Sequence, residues 1–224
     1  MDSLLNSIHI KVNEKTFVKD PESSSLGKKI IQESIILINE IGFEEYTFKK
    51  LGERIGSNES SIYRYFENKH KLLVYLSSWY WSWIEYRLVF STQNMENKIE
   101  KLKKAIEIVT EKIEDDTNTE HINEALLNKI IIEEFTKTLH TKAIDKENKE
   151  GYFLIYKRII TRICKMAEDI NPNYPYTKSL ISTVIEGALH QHFLKEHLKS
   201  ITNCNEQISP TLFYTDLILN SLKQ

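Results

Sequence analysis

The sequence predicts an all-α chain, with a three-helix helix-turn-helix head near the N-terminus and a long helical bundle behind it. Three observations carry that expectation. Apolar residues recur at spacings of three and four from residue 26 onward. The six glycines and four prolines punctuate the pattern rather than interrupt it: Pro21, Pro172, Pro175 and Pro210 stand where a periodic run stops or has yet to begin. Polar residues suited to helix capping precede the head's two short periodic segments.

Residues 1–25 depart from the pattern. Ile8, Ile10 and Val12 alternate with polar residues, Asn13-Glu14-Lys15 interrupts, and Thr16-Phe17-Val18 follows, which suits a short β-hairpin arm. The run Asp20-Pro21-Glu22-Ser23-Ser24-Ser25 reads as a linker. Lys11, Lys15 and Lys19 leave two uses open for the arm, a phosphate contact or a flap on the protein's own surface.

From Leu26 the periodicity is firm. Ile30, Ile31, Ser34, Ile35, Leu37, Ile38 and Ile41 line one helical face, and Gly42 is placed to end it in a left-handed conformation. Thr47 caps a second, short helix that turns Leu51 and Ile55 inward and stops at Gly56. Asn58 caps a third, whose apolar side is Ile62, Tyr63 and Phe66. Two short helices around a tight Gly56-Ser57 turn are the ingredients of a helix-turn-helix, with Glu59, Ser60 and Arg64 on the face that would meet a major groove. Further helices are expected at about 69–91, 97–115, 120–140, 151–170, 176–199 and 210–222, separated by polar breaks at 115–119, 141–150, 171–175 and 202–210. The expected domains are an arm at 1–25, a head at 26–72 and a helical domain at 73–224.

Bulk composition bounds the function. Charged residues are 28% and apolar residues 41% of the 224, a balance that suits a folded soluble protein. Net charge is −2, so any nucleic-acid contact must come from a local patch. Residues 26–72 hold eight Lys/Arg against seven Asp/Glu, a net of +1. No apolar run approaches the roughly 20 residues of a membrane span. Residues 1–6 show no secretory pattern, and Cys164 and Cys204 lack metal or redox spacing. A cytoplasmic protein with two reduced thiols is the expectation.

The order of residues from Thr47 to Leu72, TFKKLGERIGSNESSIYRYFENKHKL, resembles the DNA-binding domain of the TetR/AcrR family of transcriptional regulators. The likeness covers about residues 28–72: a Thr opening the second helix, a glycine turn, an Ile-Tyr-x-Tyr-Phe core and a Lys starting the fourth helix. It implies a sequence-specific DNA-binding regulator, in the family's commoner mode a repressor released by a small-molecule ligand. It implies that Tyr63 and Lys69 contact phosphates, that Thr47 caps its helix and reaches the DNA backbone, and that Lys49, Asn58, Glu59, Ser60, Ser61, Arg64 and Tyr65 lie near base edges or flanking phosphates. Two departures stand out: Ser57 replaces the usual buried Val, and Glu59 brings a negative charge to the reading face. A protein-interaction module that keeps the fold without strong DNA binding is the rival expectation.

The helix after residue 69 is unusually aromatic, and Trp79, Trp83, Tyr86 and Phe90 form one stripe. Such a stripe serves equally as plain core. By the resemblance, Trp79, Trp83 and Tyr86, with Phe135, Tyr152 and Tyr156, are candidates to line an effector cavity. In the last two helices Ile181, Val184, Ile185, Ala188, Leu189 and Phe193 form one apolar band, and Leu212, Phe213, Leu217, Ile218 and Leu219 a second. The resemblance makes Ile181, Val184, Ile185, Ala188, Leu189, Phe193, Phe213 and Leu217 the expected homodimer interface. Two-fold symmetry would place two recognition helices in successive major grooves of a double-stranded operator. Catalysis has no sequence support: there is no phosphate-binding glycine loop, no Gly-x-Ser-x-Gly elbow and no metalloprotease helix. His190, His192 and His197 are misaligned for a metal, and no cofactor is implied.

Overall fold

The computed structural model of the protein describes residues 10–114 and 121–223, so Ile8 and the expected break at 115–119 lie outside the described residues. Ten α-helices occur among the described residues and no strand. In chain order they are α1 (Ser25–Glu45), α2 (Phe48–Ile55), α3 (Glu59–Tyr63), α4 (Lys69–Thr92) and α5 (Lys98–Thr110). Then follow α6 (Glu124–Leu139), α7 (Ile144–Lys149), α8 (Leu154–Glu168), α9 (Thr177–His197) and α10 (Pro210–Leu222). Only α7 was not expected. It occupies the polar stretch 141–150 and is too short to show an apolar period, but Asp145 and Glu147 in its first turn and Lys149 in its last complement the helix dipole.

The chain forms two compact units, Met1–Ser82 with Ile113–Leu154, and Trp83–Lys112 with Ile155–Gln224. In the first, α1 packs on α2 and α6. Its N-terminus is capped by Ser24, whose hydroxyl accepts the Gly27 N–H at 3.1 Å. Ile30, Ile31, Ser34, Ile35, Leu37 and Ile38 go into the core, as their spacing predicts. Gly42 takes φ 77°, ψ 157°, outside helical values, so the long helix breaks there as expected and one further turn runs on to Glu45. Tyr46, Leu51, Ile62, Phe66, Leu72, Tyr75 and Trp81 complete the interior. Trp81 meets Phe135 edge-on at 5.3 Å. The buried Asn128 amide donates to the Tyr80 hydroxyl at 2.8 Å, so this polar pair does not go unsatisfied.

The arm corrects the hairpin expectation. Its described residues form two 3-10 turns, Glu14–Thr16 and Pro21–Ser23. Asn13 and Asp20 cause them: each side-chain oxygen accepts the N–H two residues on, at 3.0 and 2.9 Å, and local capping displaces strand pairing. Between the turns the Val18 N–H donates to the Tyr65 carbonyl at 2.8 Å.

In the second unit, α10 packs against α5 and α9. The hydroxyl of Thr110 at the end of α5 donates to the Ile106 carbonyl at 2.7 Å and lies 3.0 Å from that of Thr211, and the Thr110 carbonyl accepts His192 Nε2–H at 2.8 Å. Burial holds this imidazole below its ordinary pKa, which favours the neutral form. A Cβ on Gly187 would lie 2.1 Å from the Tyr214 hydroxyl, so the close approach of α9 and α10 needs a glycine there. The residues expected at a dimer interface divide by their exposure in the single chain. Ile181, Val184, Ile185, Ala188 and Leu189 are already buried in their own chain. Phe193 is half-buried, while Phe213 and Leu217 stay exposed on α10 beside Leu212.

Candidate nucleic-acid interface

Two helices and one turn build the site. Thr47 Oγ1 accepts the Lys50 N–H at 3.2 Å and starts α2, which buries Phe48, Leu51, Gly52 and Ile55. Gly56 ends it in the left-handed conformation, φ 68°, ψ 35°, where a side chain would be strained. The Ser57 N–H then returns to the Gly52 carbonyl at 2.9 Å. A Cβ on Gly52 would come 2.8 Å from the Ser57 carbonyl oxygen, so a larger residue there would force the turn to shift. Sequence reading passed over Gly52, although a glycine inside an eight-residue helix is itself a sign of close backbone approach.

Asn58 caps α3 by accepting from the Ser61 N–H at 2.9 Å and the Ser61 hydroxyl at 2.8 Å. Both polar groups are therefore occupied within the protein. Ile62 anchors the helix in the core, while Ser60, Tyr63 and Arg64 face solvent and Glu59 is half-buried. The Tyr63 ring meets Phe48 edge-on at 5.0 Å. The Glu59 carboxylate one turn back raises the pKa of the Tyr63 phenol. The unusual acid on the reading face is thus paired with the residue expected to touch phosphate. Tyr65 does not share this face. It is buried, its hydroxyl lies 2.8 Å from Ser24 Oγ, and Lys19 sits 5.1 Å above its ring. It ties the reading helix to the start of α1.

The bases are distributed unevenly. Of the eight Lys/Arg in residues 26–72, five are engaged within the protein. Lys29 Nζ donates to the Ile55 carbonyl at 2.9 Å, and Lys50 Nζ to the Glu45 carbonyl at 2.8 Å. Arg54 bridges Glu33, at 2.7 Å, and Glu40. Lys71 donates to the Tyr152 hydroxyl and lies 3.6 Å from the buried Glu147 carboxylate. Lys69 Nζ donates to three carbonyls, those of Phe43 and Glu44 at 2.9 Å and of Tyr46 at 3.2 Å. This arrangement leaves Lys49 and Arg64 exposed beside the turn, with Lys28 half-buried near Glu22.

The effector-pocket candidates divide between the units. Trp79, Phe135 and Tyr152 belong to the first, and Trp83, Tyr86 and Tyr156 to the second. Tyr152 donates to the Lys15 carbonyl at 2.7 Å. Tyr156 donates to Glu186 at 3.1 Å, and burial with this acidic neighbour pushes its phenol far up. Arg87 stacks over Trp83 at 4.8 Å, and Tyr86 lies against the exposed Phe90.

A capped helix, a left-handed glycine turn and a second capped helix on an apolar back define a helix-turn-helix. Residues 30–76 match the family model of the bacterial regulatory proteins of the tetR family. Among solved structures, the superantigen PfiT shares 17% identity over 90% of this chain and 97% of its own, with a TM-score of 0.59. AibR, solved in complex with isovaleryl coenzyme A and operator DNA, shares 13% identity over 85% of this chain and 96% of its own, with a TM-score of 0.54. At these identities the likeness is one of fold. No curated protein matches in sequence.

Proposed function

We propose that the protein is a sequence-specific, DNA-binding transcriptional regulator that acts as a homodimer in the cytoplasm and represses until a small-molecule effector binds. It needs no catalytic step. The observation that carries this reading is α3 itself, capped by Asn58, anchored by Ile62 and presenting Ser60, Tyr63 and Arg64 to solvent beside Lys49. In such a docking, Lys49, Arg64 and Tyr63 meet phosphates or base edges, and Glu59 orients Tyr63. Exposed Leu212, Phe213 and Leu217, with half-buried Phe193, are the residues available for pairing two copies. The effector role draws support from AibR, a protein of similar fold solved with an acyl coenzyme A and operator DNA. Selection of bound duplexes from a random pool tests the reading. A palindromic motif with half-sites about 34 Å apart is expected, and no enrichment even at low salt would sink it.

A second reading has specific support, namely a protein-binding module on the same scaffold. Five of the head's eight bases are engaged internally, and the superantigen PfiT has a similar fold. The same selection separates the two readings.

A further inference from the structure

We propose that Lys69 is a positioning residue of the reading head rather than a phosphate ligand, its ammonium clamping the exit of α1 to the start of α4 and so setting where α2 begins. The functional half of this inference rests on the DNA-binding reading above. The structural half stands on three hydrogen bonds. An ammonium has three N–H donors, and Lys69 Nζ has three carbonyl acceptors, Phe43 and Glu44 at 2.9 Å and Tyr46 at 3.2 Å. The last carbonyls of a helix lack intrahelical partners and carry its negative dipole end, so a cation is well placed there. The Phe43 ring lies 4.9 Å from the same nitrogen. A phosphate contact would require giving up part of this set.

What the clamp holds is the entry to α2. Tyr46, whose carbonyl is the third acceptor, is fully buried, and its hydroxyl lies 2.8 Å from Ser34 Oγ. The next residue is Thr47, the α2 cap. At the other end of α2, Lys29 donates to the Ile55 carbonyl at 2.9 Å, one residue before the Gly56 turn. Lysines from α4 and α1 thus pin both ends of the helix that carries α3, and α3 inherits its place from them.

The test compares Lys69→Met and Lys29→Met with Lys49→Met, whose parent side chain is exposed and makes no hydrogen bond or ion pair among the described residues. Affinity is measured well below the melting temperature, on selected and random duplexes, across a range of salt. Positioning predicts that Lys69→Met loses roughly tenfold or more on both duplexes with its salt slope unchanged, whereas Lys49→Met flattens the slope. Amide exchange at Lys50 and Leu51 should quicken in Lys69→Met while exchange of the α1 core stays as it was. A Lys69→Met slope that flattens as much as that of Lys49→Met, with exchange unchanged, overturns the proposal. If Lys69→Met does not fold, the wild-type ammonium decides by NMR. A protected Lys69 NH3 signal in the free protein that persists on DNA supports the clamp, and its absence, or loss on binding, refutes it. Should the wild type bind no DNA, the exchange and ammonium readouts still test the clamp, and only the DNA-binding reading falls.

Discussion

Raising salt weakens protein–DNA complexes in proportion to the number of phosphates neutralised, with log K falling at about −0.9 per phosphate. The head leaves Lys49 and Arg64 exposed beside the turn for that task, because Lys29, Lys50, Arg54, Lys69 and Lys71 are held by partners inside the chain and Lys28 is half-buried near Glu22. Two phosphates per head make about four in a homodimer, so the slope should be near −3.6. Between 50 and 200 mM salt, affinity for a selected duplex should fall roughly 150-fold at that slope. If Lys29, Lys50 and Lys69 also reached phosphate, the neutralised phosphates would number about ten, the slope would near −9, and the same step would cost more than about 10⁵-fold. Fluorescence anisotropy of a labelled duplex across that range measures the slope. Lys49→Met should flatten it by about 1.8, because each head then neutralises one phosphate fewer. A wild-type slope steeper than about −7 would refute the reasoning, since it would mean that the internally bonded lysines are released to DNA.

Three further outcomes follow from the packing and the ionised groups. Gly52→Ala places a Cβ 2.8 Å from the Ser57 carbonyl, so it should cost about 1–3 kcal/mol and weaken every duplex alike, read by thermal melting and anisotropy. Gly187→Ala meets the Tyr214 hydroxyl at 2.1 Å and should lower the melting temperature; adding Tyr214→Phe, which removes the clashing oxygen, should restore part of the stability. Glu85 is buried and accepts from Arg158 and Arg162, and these guanidinium partners outweigh the burial cost and hold its pKa below the ordinary carboxylate value. A depressed folded pKa stabilises above the unfolded value, and that stabilisation is lost as pH falls through the folded one. Wild type should therefore lose stability below about pH 4.5 more steeply than Glu85→Gln, compared by denaturant titration at pH 3–7.

Local chemistry near the turn was legible because its causes are local. Gly56 takes the left-handed conformation that its position asks for, and Thr47 and Asn58 accept the N–H groups three residues on. Each is a contact between neighbours in sequence, decided before any long-range packing. The hairpin expectation failed for a related reason. Alternation over a three-residue run is weaker than an Asn or Asp side chain that captures the amide two residues ahead. Tyr65 shows a different limit. Tyr63 and Tyr65 are both tyrosines two residues apart at the end of a short helix, and only the position of Ser24 and Lys19 shows which ring turns inward.

By itself the sequence determined nine of the ten described helices, the Thr47 and Asn58 caps, the Gly56 turn and the head's likeness to a known family model, since periodicity and capping are properties of adjacent residues. Tertiary structure alone decided which partner each exposed-looking group has. Lys69 finds its acceptors 23 to 26 residues back along the chain. Ile181, Val184, Ile185, Ala188 and Leu189 are buried in their own chain, whereas Phe213 and Leu217 are exposed and Phe193 is half-buried. A charge or an apolar stripe says that something must neutralise or cover it; whether that is DNA, a second copy or the chain's own backbone depends on distances no linear pattern contains.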